Sequence, residues 1–254
     1  MLSRSLVALV ASASSALAAT PDGFEPGSQE DLLVSFNNIA ALNGAVVAKE
    51  VTQTAPTIAT QSQLNGTSFA VLMIDIDIPT DSPPATNTLL HWLQTGLTQS
   101  SSAITLNTTA GSQTAYVLSV SGDEAAVAPY LGPAPPARIP LSHRYTQIVL
   151  DTSDVTDDEL DVLTTAAATR LGFDAETVLT SAGLADKVLA GNYFNVTNPG
   201  PVAATNTTTT NSTTGGGGSG STPSPSPISA ATVSQRASGL LIGIMMVGVA
   251  FFAL

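Results

Sequence analysis

FAVLMIDIDI, residues 69–78, is the stretch that decides the fold. Its first half is an unbroken apolar run rich in β-branched residues, and its second half alternates apolar and acidic residues strictly. A period of two is the signature of a strand. Strand side chains leave alternate faces, so Asp75 and Asp77, two apart, are expected on one face. A like-charge pair at that spacing costs free energy unless something positive or hydrogen-bonding compensates it. The pair is therefore read either as the polar outer face of a half-exposed strand or as part of a site.

Working outward, AYVLSV (115–120) and YTQIVL (145–150) are further short strands, separated by stretches rich in Pro, Ser, Thr and Asn. Helices come late. Thr156-Asp157-Asp158-Glu159 has the form of a capping box, and Leu160, Leu163, Ala167 and Leu171 keep a helical stripe that Gly172 should end. Asp174 should cap a second helix running through Val178, Leu179, Leu184 and Val188, with a break at Gly183. Strands first and two small helices last predict a mainly β fold: an antiparallel two-sheet β-sandwich with short C-terminal helices.

Composition narrows the function. The 254 residues include no cysteine, which excludes a disulfide-stapled miniprotein, a thiolate metal site and a cysteine nucleophile. Seven basic residues against 19 acidic ones give a formal charge of −12, the wrong sign for a nucleic-acid binder.

The two ends read as addresses. Residues 1–19 carry one basic residue, Arg4, then the apolar run Leu6 to Val10 and the small-x-small triplet Ala16-Leu17-Ala18, the pattern of a cleaved signal peptide. Residues 240–254 are apolar but would rise only ~22 Å as a helix, short of the ~30 Å hydrocarbon core. With the polar spacer 232–239 and the small triplet Ser229-Ala230-Ala231, they read as the removed signal of a glycolipid anchor spanning 230–254. Ser229 is the expected attachment residue, with Gly220 as second choice and a single-span membrane anchor as the alternative reading. Between lies a Ser/Thr/Gly/Pro-rich stalk, 199–229, which buries too little apolar surface to fold. One domain is expected over 20–198. Sequons at Asn65, Asn107, Asn195, Asn206 and Asn211 fit a glycoprotein on the extracellular face of the plasma membrane or cell wall.

The chemistry-bearing residues are few. There are two histidines: His91, followed by the single tryptophan Trp92, and His143, followed by Arg144 and Tyr145. On a strand, His143 and Tyr145 share a face and Arg144 takes the other. Upstream, Tyr130 to Pro136 (YLGPAPP) is a stiff loop in which Gly132 and Ala134 permit close approach of a ligand. Each histidine also reads as a satisfied core residue, and the loop as a plain surface turn.

Together these residues resemble the phosphatidylethanolamine-binding protein (Raf kinase inhibitor protein) family. Its first signature, Asp-Pro-Asp-x-Pro followed by His and an aromatic, is here Asp75-Ile76-Asp77-Ile78-Pro79, then His91-Trp92. Its second, Tyr-x-Gly-x-x-Pro-Pro followed by His-Arg-Tyr, is here Tyr130 to Pro136, then His143-Arg144-Tyr145. The late Gly-Asn-Phe/Tyr-Phe is here Gly191-Asn192-Tyr193-Phe194. Ile76 and Ala134 depart from the pattern, replacing a proline and a glycine.

The resemblance implies a two-sheet sandwich with a small anion pocket near one end. The pocket would be lined by Asp75, His91, His143 and Tyr145, with Gly132 and the Ala134 backbone from the loop. Asp77 and Pro79 would shape its rim, Trp92 would form an apolar wall, and Arg144 would pair with an aspartate. Imidazole and phenol donate to phosphate or carboxylate oxygens, so affinity should rise as pH falls through about 6.5. The expected function is non-enzymatic: a cell-surface protein holding a phospholipid head group or similar small phosphate or carboxylate anion, with no cofactor and no metal. The alternative is an inhibitor of a serine carboxypeptidase-type protease, or another protein-level regulator. A metal-dependent hydrolase built on His91, His143 and Asp75 ranks third. Ser142 and His143 leave opposite faces of a strand and make a poor nucleophile–base pair.

Overall fold

A computed structural model describes residues 19–200, apart from 121 and 123. Residues 1–18 of the expected signal peptide, the expected stalk beyond residue 200, Asn206, Asn211, Ser229 and the expected anchor signal lie outside the described residues.

The domain is mainly β and antiparallel. In chain order the strands are β1 (Leu33–Phe36), β2 (Ile39–Ala40), β3 (Thr57–Thr60), β4 (Phe69–Pro79), β5 (Thr86–Gln99), β6 (Ile104–Thr108), β7 (Gly111–Val120), β8 (Ser142–Asp151) and β9 (Val188–Thr197). Two helices, α1 (Asp157–Ala167) and α2 (Ala175–Ser181), separate β8 from β9. The strands pair in the order β2-β1-β3-β7-β5-β4-β8-β9, with β6 beside β7. The run curls back on itself. Leu32 donates to the Gly191 carbonyl and Gly191 to that of Glu30, so the segment entering β1 also touches the far edge strand β9.

The decisive stretch is the central strand, and its two faces fill two cores. Phe69, Val71 and Met73 meet Val34, Phe36, Ile58, Leu118, Tyr145, Val149 and Phe194 in the inner cluster between the curled layers. Ala70, Leu72 and Ile74 face outward, onto Leu163, Ala167, Phe173 and Leu179 of the helical layer. A strand covered on both sides needs apolar residues at every position, which is why the run is unbroken until Asp75. The late glycine-asparagine pair is packing chemistry. A Cβ on Gly191 would come within 2.5 Å of Thr20. Asn192 is buried but bonded to the Ala41 carbonyl, Gln147 and the Asn43 amide.

The capping box forms as read. The Thr156 hydroxyl accepts from the Glu159 amide, and the Glu159 carboxylate accepts from the Thr156 amide at 2.8 Å. The helix ends earlier than its stripe, at Ala167. Leu171 is exposed and bridges to Leu89 of β5, and Gly172 turns only after that bridge. The second helix is also shorter. Asp174 caps it through the Thr177 amide at 2.8 Å, but it stops at Ser181, and Val188 already belongs to β9. In both cases the apolar residues past the helix end serve other contacts at similar spacing.

Candidate functional site

Asp75 lies directly opposite Tyr145 in the β4–β8 ladder, and His143 is two residues along on the same face. The Oδ2 atom of Asp75 accepts from His143 Nδ1 at 2.7 Å, and its Oδ1 accepts from the Asp77 amide at 2.9 Å. A carboxylate only accepts, so the proton sits on Nδ1 and neutral His143 presents a bare lone pair at Nε2. Both groups are buried.

His91 reaches the same place through a β-bulge. Met73 pairs with Trp92 and Ile74 with Leu90, which leaves His91 as an extra residue on β5. A bulge breaks the alternation and re-aims side chains. Leu90 and Leu93 face the helical core, while Trp92 joins the inner core. The His91 ring packs edge-on against Tyr145, with centroids 5.1 Å apart. Its Nδ1 donates to the Leu131 carbonyl at 2.7 Å, and its own carbonyl accepts from the Leu131 amide at 2.8 Å. A carbonyl cannot donate, so His91 too presents a bare Nε2. Burial pulls its pKa below the ordinary histidine value, with the nearby Arg170 and His143 acting in the same direction against the Leu131 bond and Asp75.

Tyr145 completes the group. Its ring stacks on Phe194 at 5.4 Å and on His143 at 6.5 Å. Its hydroxyl has no partner in bonding geometry, although Asp75 and the Ala134 backbone stand close enough to bias its ionisation. Burial, then Asp75, push its pKa up, so it stays a protonated donor. His91 Nε2, His143 Nε2 and the Tyr145 hydroxyl are thus three buried, unpartnered polar atoms, on two imidazoles that each pack beside the Tyr145 ring. The fourth such atom among the described residues, Thr146 Oγ1, belongs to the opposite face of β8.

Asp77 does not join them. Between Asp75–Leu89 and Ile78–Asn87 the β4 strand takes three steps against two on β5, a second bulge. It turns the Asp77 carboxylate toward Arg144, whose amide and Nε donate to Oδ2 at 2.8 Å each and whose Nη2 donates to Oδ1 at 2.7 Å. The same-face expectation for the two aspartates therefore fails in its consequence. Each carboxylate has its own donor partner, the His143 imidazole for Asp75 and the Arg144 guanidinium for Asp77, and Asp77 locks the strand end rather than lining a rim. Burial alone would raise the Asp77 pKa, but the bonds and charge of Arg144 outweigh it and hold it below the ordinary carboxylate value. Pro79 ends β4 opposite Thr86, four residues beyond Asp75. A cavity of about 410 Å³ opens beside Arg144, Ile74 and Ile76, on the helical side of the sheet.

The 130–136 loop is bonded to His91 through Leu131 and is tied down on both flanks. The Tyr130 hydroxyl donates to the Thr52 carbonyl at 2.8 Å, Gln53 Nε2 to the Pro133 carbonyl at 3.0 Å, and Asn198 Nδ2 to the Pro135 carbonyl at 2.9 Å. A Cβ on Gly132 would meet Gln53 Oε1 at 2.7 Å, so this glycine serves the close packing of the loop. Trp92 packs edge-on against Tyr130 at 5.9 Å as a core residue. Leu131, Gln53, Asn198 and Arg170 act largely through or upon backbone carbonyls, and no sequence pattern announces such contacts. Asn65 and Asn107 are exposed, whereas Asn195 is half-buried and its side-chain nitrogen donates to the Gly44 carbonyl at 2.7 Å.

The profile of the phosphatidylethanolamine-binding proteins matches residues 35–194, a span holding every one of these ring, carboxylate and loop residues. The chain belongs to the phosphatidylethanolamine-binding protein family. Among proteins of similar sequence, the phomoidride biosynthesis cluster protein N of Talaromyces stipitatus is 30% identical over 203 residues, covering 74% of this chain and 94% of that protein. Similar solved structures include a carboxypeptidase Y inhibitor in complex with its proteinase, 15% identical over 68% of this chain and 85% of that one, with a TM-score of 0.46. The phosphatidylethanolamine-binding protein of Plasmodium vivax is 17% identical over 66% and 85%, with a TM-score of 0.43.

For a phosphatidylethanolamine-binding protein, this chain makes one chemical point plain. Asp75 stands on the Nδ1 side of His143 with a proton between them, so it cannot share a metal ion with the two Nε2 atoms while that bond lasts. The facial triad considered from sequence is not assembled, and among the described residues no three His, Asp or Glu side chains are grouped to hold a metal.

Proposed function

We propose that the protein is a non-enzymatic binder of a small oxyanion, of the phosphate head-group class, held between His91, His143 and Tyr145. The observation that carries this reading is the trio of buried atoms without partners. A buried polar group left unsatisfied costs about 1–3 kcal/mol, and three of them grouped about the Tyr145 ring are costly unless a ligand completes them. The phenol donates directly to an oxyanion. Each imidazole accepts from a ligand hydroxyl when neutral and donates when protonated. The site is covered, so a ligand enters by lifting the 130–136 loop off Gln53 and Asn198.

The location follows from the sequence expectations: a glycosylated protein tethered by a glycolipid outside the cell. The test is calorimetric titration of the purified protein with phosphoethanolamine at pH 5 and pH 8, with acetate as a second probe for the carboxylate class. Binding at pH 5 that weakens by about tenfold or more at pH 8 supports the reading. No binding, or equal affinity at both pH values, removes the imidazoles from it and leaves protease inhibition as the reading to pursue.

A further inference from the structure

One residue outside every motif governs how His91 is presented. At the bulge, β5 loses its regular partner on one side, and on the other side β7 reaches only Leu97 to Gln99. Two short segments cover the remaining edge: Leu171 bridges to Leu89, and Ala128 bridges to Leu93. Arg170 spans the gap between them. Its Nη1 donates to the carbonyls of Leu90 at 3.4 Å and His91 at 3.3 Å, its Nη2 to that of Pro129 at 2.8 Å, and its own carbonyl accepts from the Leu90 amide at 2.9 Å. Among the described residues Arg170 forms no ion pair. A guanidinium without a carboxylate, bonded to three carbonyls around a bulge, fixes backbone geometry and places a positive charge beside an imidazole.

We propose that Arg170 is the positioning residue of the oxyanion site: by clamping the bulge it presents the bare Nε2 of His91 to the ligand, and so selects a head group with a proton of its own to donate, a singly protonated phosphate monoester over a phosphodiester. The inference rests on the oxyanion reading given above and deepens it. The chemistry follows from the tautomer. With Nδ1–H spent on Leu131, neutral His91 can only accept at Nε2. A phosphate monoester near its second pKa, about 6, carries both acceptor oxygens for Tyr145 and a hydroxyl for His91. A diester carries no hydroxyl. The charged or titratable groups facing His91 are Asp75 from β4, His143 and Tyr145 from β8, and Arg170 from the connector between the helices. Burial, Arg170 and His143 oppose a second proton on its ring, which keeps Nε2 an acceptor.

The test compares phosphoethanolamine with glycerophosphoethanolamine, the corresponding diester, by calorimetry at pH 5.5 in wild type, Arg170→Gln and Arg170→Lys. Wild type is expected to favour the monoester by about tenfold, the worth of one hydrogen bond. Arg170→Gln, which lacks the charge and cannot reach three carbonyls, should reduce the preference to below about threefold, and Arg170→Lys should restore part of it. A purely structural role would weaken both ligands alike and leave the ratio unchanged, which overturns the proposal. Equal affinities in wild type overturn it while leaving the oxyanion site intact, whereas binding of neither ligand sinks both readings. Should Arg170→Gln fail to fold, ring 15N spectra of the wild type decide. A bare Nε2 on His91 at pH 5.5 supports the proposal, and a doubly protonated ring overturns it.

Discussion

The carboxylate of Asp75 holds His143 by its Nδ1–H at 2.7 Å, and its other oxygen holds the Asp77 amide at 2.9 Å. Both oxygens therefore face donors, which makes Asp75→Asn a sharp perturbation. Whichever way the new amide turns, its NH2 meets an N–H. The Asp77 amide cannot invert, but an imidazole can move its proton to the other nitrogen. We expect Asp75→Asn to switch His143 to the Nε2–H tautomer, visible in ring 15N spectra. Neutral His143 would then donate to an anion without first taking up a proton, so affinity at pH 8 should rise by about threefold or more over wild type. An unchanged tautomer in a folded variant contradicts the assignment.

Tyr145→Phe should separate function from stability. The hydroxyl is buried and unpartnered, while the ring is packed against Phe194, His91 and His143. Removing the oxygen leaves the packing and relieves an unsatisfied group. Urea denaturation should show a change between zero and a gain of about 1 kcal/mol. Phosphoethanolamine binding should fall by about tenfold. A loss of stability above about 1 kcal/mol would mean that the hydroxyl is bonded within the empty protein.

Asp77→Asn should act on the fold and spare the ligand. Arg144 forks onto this carboxylate, but its side chain is 40% exposed, so solvent screens the pair and the expected cost is about 1–2 kcal/mol. Because the folded Asp77 pKa is depressed, its contribution is full above the unfolded value near 3.8 and is lost as pH falls through the lower folded value. The acid denaturation of wild type and variant should converge once pH falls below the depressed folded value. Divergence that persists there points to shape rather than charge.

Much of this was legible in the residues. The FAVLMIDIDI run, the Thr156 capping box and the shared face of His143 and Tyr145 follow from alternation and local chemistry, whereas the approach of Asp75 to them was implied only by the family resemblance. The two bulges were not legible, because a bulge is a register slip between strands and no strand records its partner's count. They explain both the inward turn of His91 beside Trp92 and the outward turn of Asp77. The helix ends were misplaced for a related reason: Leu171 continues the apolar spacing of α1 but is recruited by β5.

His91 should make the fold sensitive to mild acid. Its folded pKa lies below the unfolded value near 6.5, so it favours the folded state fully above that value, and this stabilisation is lost as pH falls through the depressed folded value. Replacing His91 by Gln removes a titrating group while keeping an amide able to reach Leu131. The stability difference between wild type and His91→Gln, measured by urea unfolding from pH 4 to pH 8, should slope below about pH 6.5 and be flat above it. A slope confined to the alkaline side would show that His91 is charged in the folded protein.

Trp92 offers a direct view of the covering loop. It is the single tryptophan, it is buried, and its ring meets Tyr130 edge-on at 5.9 Å. Tyr130 begins the loop and is tied by its hydroxyl to the Thr52 carbonyl. His91 Nε2, His143 Nε2 and the Tyr145 hydroxyl are all shut from solvent, and the loop that holds His91 through Leu131 is the segment expected to open for a ligand. Opening must therefore carry Tyr130 away from the indole and alter its emission. Stopped-flow mixing with inorganic phosphate at pH 5.5 should give a fluorescence change whose rate saturates with concentration, as expected when a conformational step limits access. Gln53→Ala and Asn198→Ala each remove one side-chain bond to a loop carbonyl, worth about 1 kcal/mol. Each should raise the limiting rate by about fivefold and the double variant by more, with no change in the ligand contacts themselves. Calorimetric binding without any change in Trp92 emission would mean that ligand enters by another route and that the proline loop is a fixed wall.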